Sequence, residues 1–291
     1  MSVRITVLVE NKPAPDAQAG VEGEHGLSLL VEAEGLSASA QAGARVLFDT
    51  GASDLVARNA EALGLARSLA ELDAIVLSHG HYDHAGGLAE VAGRAACRTP
   101  VFVRPGFFGR KTKRRPGGFT DIGVPVARAE LERLGARVVV EPGPKEILPG
   151  FFVTGEIALA RKLDSAETHL LAQMPGGEMV TDAFPEEQAL ALKTEKGLVV
   201  LVGCAHRGLL NSVEAAREAC RDARVRVVLG GAHLRSASPE TIDRTAEAVA
   251  KLGAEFVALG HCTGATAEES VALALGEASR PLRSGSTFVL D

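Results

Sequence analysis

The chain has 291 residues, with 31 Lys and Arg against 37 Asp and Glu, a formal charge of −6, and no Trp. That length can bury a substantial core, as one large domain or two small ones. The negative balance argues against general affinity for nucleic acid or acidic membranes, and no apolar run is long enough to span a bilayer.

Residues 1–10 alternate like a strand and are too short and charged for an export signal. With no paired C-x-x-C motif, Cys97, Cys204, Cys220 and Cys262 read as reduced thiols of a cytoplasmic protein. A second strand follows the turn at Gly23 to Gly26, and Arg45-Val46-Leu47-Phe48 is a third. Ser53 then caps a helix whose apolar face is Leu55, Val56, Ala60 and Leu63. Ala74-Ile75-Val76-Leu77 is a buried strand, and Thr99 to Val103 another. Residues 104–125 carry Arg104, Arg110, Lys111, Lys113, Arg114 and Arg115 with little apolar periodicity, which predicts a mobile basic loop or lid. Beyond it come a helix (Ala127 to Leu134) and strands at 137–140 and 151–153. Glu195-Lys196-Gly197 marks a hairpin between two apolar runs. Helices are expected at Leu209 to Cys220, after Ser238-Pro239-Glu240, and at Ala267 to Leu275, with strands at 225–229, 256–259 and 287–290. Two sheets packed face to face with helices outside, as one domain over 1–291, account for this order.

The chemistry concentrates in Leu77-Ser78-His79-Gly80-His81-Tyr82-Asp83-His84-Ala85-Gly86-Gly87. Alternate residues of an extended chain point the same way, so His79, His81 and Asp83 can share one side, with His84 turned to a neighbouring direction. The pattern suits two adjacent ions, His79 and His81 on one and Asp83 and His84 on the other. Imidazole with carboxylate favours zinc, with manganese or iron as alternatives, over calcium or magnesium. More ligands must come from later strand ends. His206, His233 and His261 each follow an apolar strand, where α/β sites are commonly built. His206 and His261 read as ligands, and His233 as either a ligand or a hydrogen-bonded loop histidine. Cys204 and Cys262 read as small packing residues.

The Ser-His-Gly-His-Tyr-Asp-His-Ala-Gly-Gly run resembles the metal motif of the metallo-β-lactamase superfamily, an αββα sandwich with two metals at one edge. Glu10-Asn11, Gly23 to Ser28, Phe48 to Gly51, Gly203 to Gly208, Gly230 to Leu234 and His261 to Gly264 are similar to one branch. That branch holds the archaeal dihydropterin-6-methyl-(ribofuranosyl)aminobenzene-phosphate synthase and its bacterial relatives. The resemblance implies His79, His81 and His206 on one metal, and Asp83, His84 and His261 on the other, with Asp49 orienting the ligand loop. The superfamily usually has a bridging aspartate on the strand that here ends in Gly230-Gly231-Ala232-His233. His233 therefore either takes over part of that role or faces the substrate. His81 stands where a branch that reduces oxygen at two irons has glutamate, and so argues against that chemistry.

Two such ions lower the pKa of a shared water and hold hydroxide as nucleophile, with Asp83 steering it and accepting its proton. This predicts a hydrolase of a small phosphorylated or ester substrate. The resemblance implies an alternative, a transferase joining a dihydropterin methylene to an aminobenzene with release of pyrophosphate. A metal-containing binding or regulatory protein is the third reading. An anionic substrate would meet Arg110, Lys111, Lys113, Arg114 and Arg207. Oligomeric state is left open.

Overall fold

The computed structural model describes residues 1–35, 43–161 and 167–291. In chain order the strands of the first half are β1 (Ser2–Val9), β2 (Ser28–Glu34), β3 (Ala44–Phe48), β4 (Ala74–Val76), β5 (Pro100–Val103), β6 (Lys111–Arg115), β7 (Gly118–Asp121) and β8 (Arg137–Val140). The second half supplies β9 (Lys145–Leu148), β10 (Phe151–Val153), β11 (Leu170–Gln173), β12 (Met179–Thr181), β13 (Leu190–Thr194), β14 (Gly197–Val202), β15 (Val225–Gly230), β16 (Phe256–Leu259), β17 (Ser279–Pro281) and β18 (Thr287–Leu290). The helices are α1 (Leu55–Ala62), α2 (Ala66–Ala70), α3 (Tyr82–Ala85), α4 (Leu88–Arg94), α5 (Arg128–Arg133), α6 (Leu209–Cys220), α7 (Pro239–Ala250) and α8 (Ala265–Leu275).

Period-two alternation divides these strands between layers. Val46 and Phe48 of β3 and Val199 and Leu201 of β14 meet in the central core between two sheets. Leu47 points the other way, into a layer closed by Leu55, Val56 and Leu88 of the helices. Val200 and Val202 likewise point outward, against Leu209 and Val213 of α6 and Ile242 and Val249 of α7. The first sheet runs β18-β1-β2-β3-β4-β5-β8 and the second β17-β16-β15-β14-β13-β10-β9, so the layers are helix, sheet, sheet, helix. This is the αββα sandwich. Each fully buried Val, Leu or Phe in these layers contributes about 1.5–3 kcal/mol. β3, β4 and β5 are parallel, as are β14, β15 and β16, which sends the C-terminal ends of each set to one edge.

The 195–197 hairpin pairs Thr194 with Gly197 as expected. The Ser238 side chain accepts from the Thr241 amide at the start of α7. The 104–125 stretch differs from expectation. Its basic run is strand β6, paired with β7 and with β11 in a separate four-stranded sheet β12-β11-β6-β7. All four residues of β7 are exposed, so this hairpin never acquires the apolar alternation that marks a buried strand. Among the described residues, no helix is long and apolar enough to cross a membrane.

Candidate metal centre

β4 runs into the ligand loop, and the loop's path is set by close packing. A Cβ on Gly86 would lie 2.1 Å from the Ala52 carbonyl oxygen, and one on Gly87 2.3 Å from that of Thr50. Only glycine lets the chain approach the β3–α1 turn this closely. Extended backbone lasts as far as His81 (φ −106°, ψ 151°), and α3 then begins. Strand alternation therefore accounts for His79 and His81, while a single helical turn delivers Asp83 and His84.

Asp49, at φ +58° after β3, holds this half in place. Its Oδ1 accepts the Ser78 amide and its Oδ2 the Ser78 hydroxyl, each at 2.7 Å. The same Oδ2 lies 2.7 Å from His84 Nδ1. With its hydroxyl hydrogen given to Asp49, Ser78 Oγ can only accept from His79 Nδ1, 2.9 Å away. Both rings thus carry a proton on Nδ1 and turn Nε2 inward, the orientation a metal ligand needs.

The second half comes from the ends of β14, β15 and β16. Ala205, His233 and His261 take φ of +58°, +49° and +55° there, left-handed conformations that non-glycine residues adopt at a cost. Glu187 clamps the first of these loops, accepting the amides of His206 at 2.8 Å and Arg207 at 2.7 Å. Burial raises its pKa to about 7 against the pull of those two amides. Glu10 Oε1 accepts the His261 amide at 2.7 Å. Asn11 Nδ2 donates to the His261 carbonyl at 2.8 Å, and Asn11 Oδ1 faces His261 Nδ1 at 3.2 Å. The Phe184 ring stacks on His206 with centroids 3.7 Å apart.

Two sets of candidate donors result. The ligand nitrogens of His79, His81 and His206 lie within 4.8 Å of one another. In all three residues Nε2 is buried with no hydrogen-bond partner. Burial holds the pKa of His79 and His206 well below the ordinary histidine value and takes His81 down to about 3, so these rings stay neutral and available. Three buried, unpartnered nitrogens of neutral rings converging on one point fit a cation and little else. In the other set His84 Nε2 is 3.1 Å from His261 Nε2, which is 3.5 Å from Asp83 Oδ2. Those two separations are close to the donor–donor edge of a tetrahedral zinc site, about 3.3 Å for N and O donors, and the donor atoms of His25, Asp83 and His261 lie within 4.8 Å of one another. Burial opposes ionisation of Asp83, but His84, His25 and His261 outweigh it and hold its pKa well below the usual carboxylate range. Against the same burial, Asp49 and Asp83 raise His84 to about 9.

His233 sits beside this cluster. Its Nε2 lies 2.5 Å from Glu167 Oε2, and its ring centroid is 4.2 Å from that of His206. His25, exposed, donates from Nε2 toward Asp83 Oδ2 at 3.2 Å. The basic residues are divided. Lys111 is buried and ion-paired with Asp182 and with Glu186, and Arg207 donates to the carbonyls of Ile157 and Ala183. Both are committed to holding loops together. Arg110 and Arg114 are exposed on the hairpin and Lys113 is half-buried. Sequence reading left Glu10, Glu187, Glu167 and Phe184 without roles. Glu10 and Asn11 stood in a motif-like run that could have flagged them.

Residues 26–160 match the family model described as the metallo-β-lactamase superfamily. A curated relative, the 7,8-dihydropterin-6-methyl-4-(β-D-ribofuranosyl)-aminobenzene-5'-phosphate synthase of Methanocaldococcus jannaschii, is 34% identical over 84% of this chain and 83% of its own. The chain belongs to the metallo-β-lactamase superfamily. A solved superfamily structure, a metal-dependent hydrolase, is 30% identical with a TM-score of 0.79 and covers 98% of both chains. A diphosphatase of the PhnP family, 15% identical with a TM-score of 0.53, shares the fold.

Proposed function

We propose that this superfamily member is a hydrolase that binds two divalent cations per chain, zinc foremost, and acts on a small anionic ester or phosphorylated substrate. The observation that carries this reading is the convergence of the unpartnered Nε2 atoms of His79, His81 and His206 beside the Asp83, His84 and His261 set. Bound cations would bring the pKa of a coordinated water toward neutrality and polarise the bond under attack. The chain's own groups do the rest. Asp49 fixes the tautomers of His79 and His84, and Asn11 presents His261. Asp83, ionised, receives the proton at a carboxylate oxygen, with His25 Nε2–H donating to Oδ2. A cavity of about 660 Å³ lined by Glu167, Phe184, His206, Asn211, His233 and Lys251 offers room for the substrate body. The exposed Arg114 and Arg115, with Lys113 and with Arg110 beside Asp121 (3.8 Å), are the hairpin cations that would meet an anionic end.

Metal analysis followed by a screen of phosphodiester, thioester and lactone substrates tests this. Two cations per chain and turnover that chelation abolishes are expected; a full cation complement with no turnover of any ester or phosphorylated substrate would sink the hydrolase reading. The 34% identity to a synthase favours one second reading, a transferase. In that case pyrophosphate is released only when dihydropterin pyrophosphate and an aminobenzene acceptor are both present.

A further inference from the structure

Cys204 does not pack as an inert small residue. Its Sγ lies 3.2 Å from His84 Nε2, inside the ligand cluster rather than in the apolar layer behind it. It is also common to three sets of donors whose atoms lie within 4.8 Å of one another: with His79 and His84, with His206 and His233, and with His261 and Cys262. It therefore reaches donors of both cations. The end of β15, Gly230-Gly231-Ala232-His233, brings no carboxylate between the two donor sets, and the Cys204 sulfur is a donor atom common to both. For zinc, with Zn–S about 2.3 Å and Zn–N about 2.0–2.1 Å, a shared tetrahedron puts sulfur about 3.5 Å from a neighbouring nitrogen. The observed 3.2 Å is within a few tenths of that edge. Cys262 is placed differently, its thiol donating to the Cys204 carbonyl at 3.5 Å. Space beside the Cys262 sulfur is tight, since a Cβ on Gly231 would meet Cys262 Sγ at 2.5 Å.

We propose that Cys204 is a metal ligand, its thiolate bridging the two cations where a carboxylate would otherwise stand. The inference rests on the two-cation reading above and adds a soft donor to it. On binding, the thiol proton is released to solvent and sulfur coordinates as thiolate. One soft ligand tilts the site toward zinc, and away from manganese and magnesium, which prefer oxygen donors.

Cobalt(II) titration of the metal-free full-length protein reads this directly, because sulfur coordination produces a near-ultraviolet charge-transfer band. The band should grow with added cobalt, persist in Cys262→Ala, and be lost in Cys204→Ser with at least about tenfold weaker binding. X-ray absorption of the zinc-loaded unmodified protein needs no variant and should contain a sulfur shell at about 2.3 Å. Two zinc ions bound with only nitrogen and oxygen neighbours would overturn the sulfur assignment while leaving the metal centre intact. A band that survives Cys204→Ser but vanishes in Cys262→Ala would overturn it as well. Failure to bind any cation would remove both this proposal and the reading beneath it.

Discussion

In the half of the candidate metal centre built on the first sheet, the buried Asp49 acts on imidazole rings, directly or through Ser78; in the half built on the second, Glu187 and Glu10 act on backbone amides. Asp49, with Ser78, fixes the tautomers of His79 and His84 through side-chain contacts. Glu187 and Glu10 instead accept the amides of His206 and His261, pinning loops whose residues sit at positive φ. A ligand loop that folds on itself needs only its rings turned. Loops from three separate strands first have to be brought to one edge, and a buried carboxylate on a backbone amide does that.

Both halves should be indispensable, and the largest effect tests this. His79→Ala and His206→Ala are each expected to weaken cation binding by more than about a hundredfold, beyond the 10–100-fold that loss of a supporting residue costs. Competition titration with a chromophoric chelator measures it. If one variant kept near-normal affinity, the two halves would not share a centre. Lys111→Ala, read on stability rather than affinity, strips the cation from two buried carboxylates, Asp182 and Glu186. A destabilisation of about 3–5 kcal/mol is expected in denaturant unfolding. The effect should be felt on the second-sheet side, because Glu187 follows Glu186 directly.

The contrast itself is sharpened by a matched pair of isosteric changes. Asp49→Asn keeps a residue tolerant of φ +58° but lacks the charge that His84 and Ser78 share. Cation affinity should fall about 10–100-fold, with a smaller change in unfolding free energy of the metal-free protein. Glu187→Gln keeps one acceptor and turns an NH₂ toward the other amide. That leaves a buried N–H unsatisfied, at a cost of about 1–3 kcal/mol in metal-free stability. Equal effects of the two variants on both readouts would erase the distinction.

The same division explains what could be read from the sequence. The motif half is local: His79, His81, Asp83 and His84 fall within six positions after an apolar strand, so residue type and spacing were enough to single them out. Strand alternation misdescribed its second part, because α3 intervenes at Tyr82. The layers were also legible, since Leu47 against Val46 and Phe48 obeys the period of two that separates faces. The supports of the second half were not. Glu10 reaches His261 across 251 positions, and no periodic signal links them. The surface hairpin β6–β7 was hidden for the opposite reason, its strands carrying basic and polar residues where alternation would be sought.

On the second-sheet side Asn11 touches both the backbone and the ring of His261, and the smallest effect expected is there. Asn11→Leu removes two neutral hydrogen bonds, to the His261 carbonyl and to Nδ1. Each is worth about 0.5–1.5 kcal/mol, and the Glu10 clamp on the His261 amide remains. The loop should therefore stay in place while the ring loses its bias toward the Nδ1–H tautomer. Affinity for the cation on His261 is expected to drop by no more than about tenfold, with stability nearly unchanged. Asn11→Asp, which keeps the acceptor for Nδ1–H and gives up only the donor, should recover most of the loss. If Asn11→Leu instead cost as much as Asp49→Asn, ring orientation would matter equally in both halves, and the backbone clamps would be secondary.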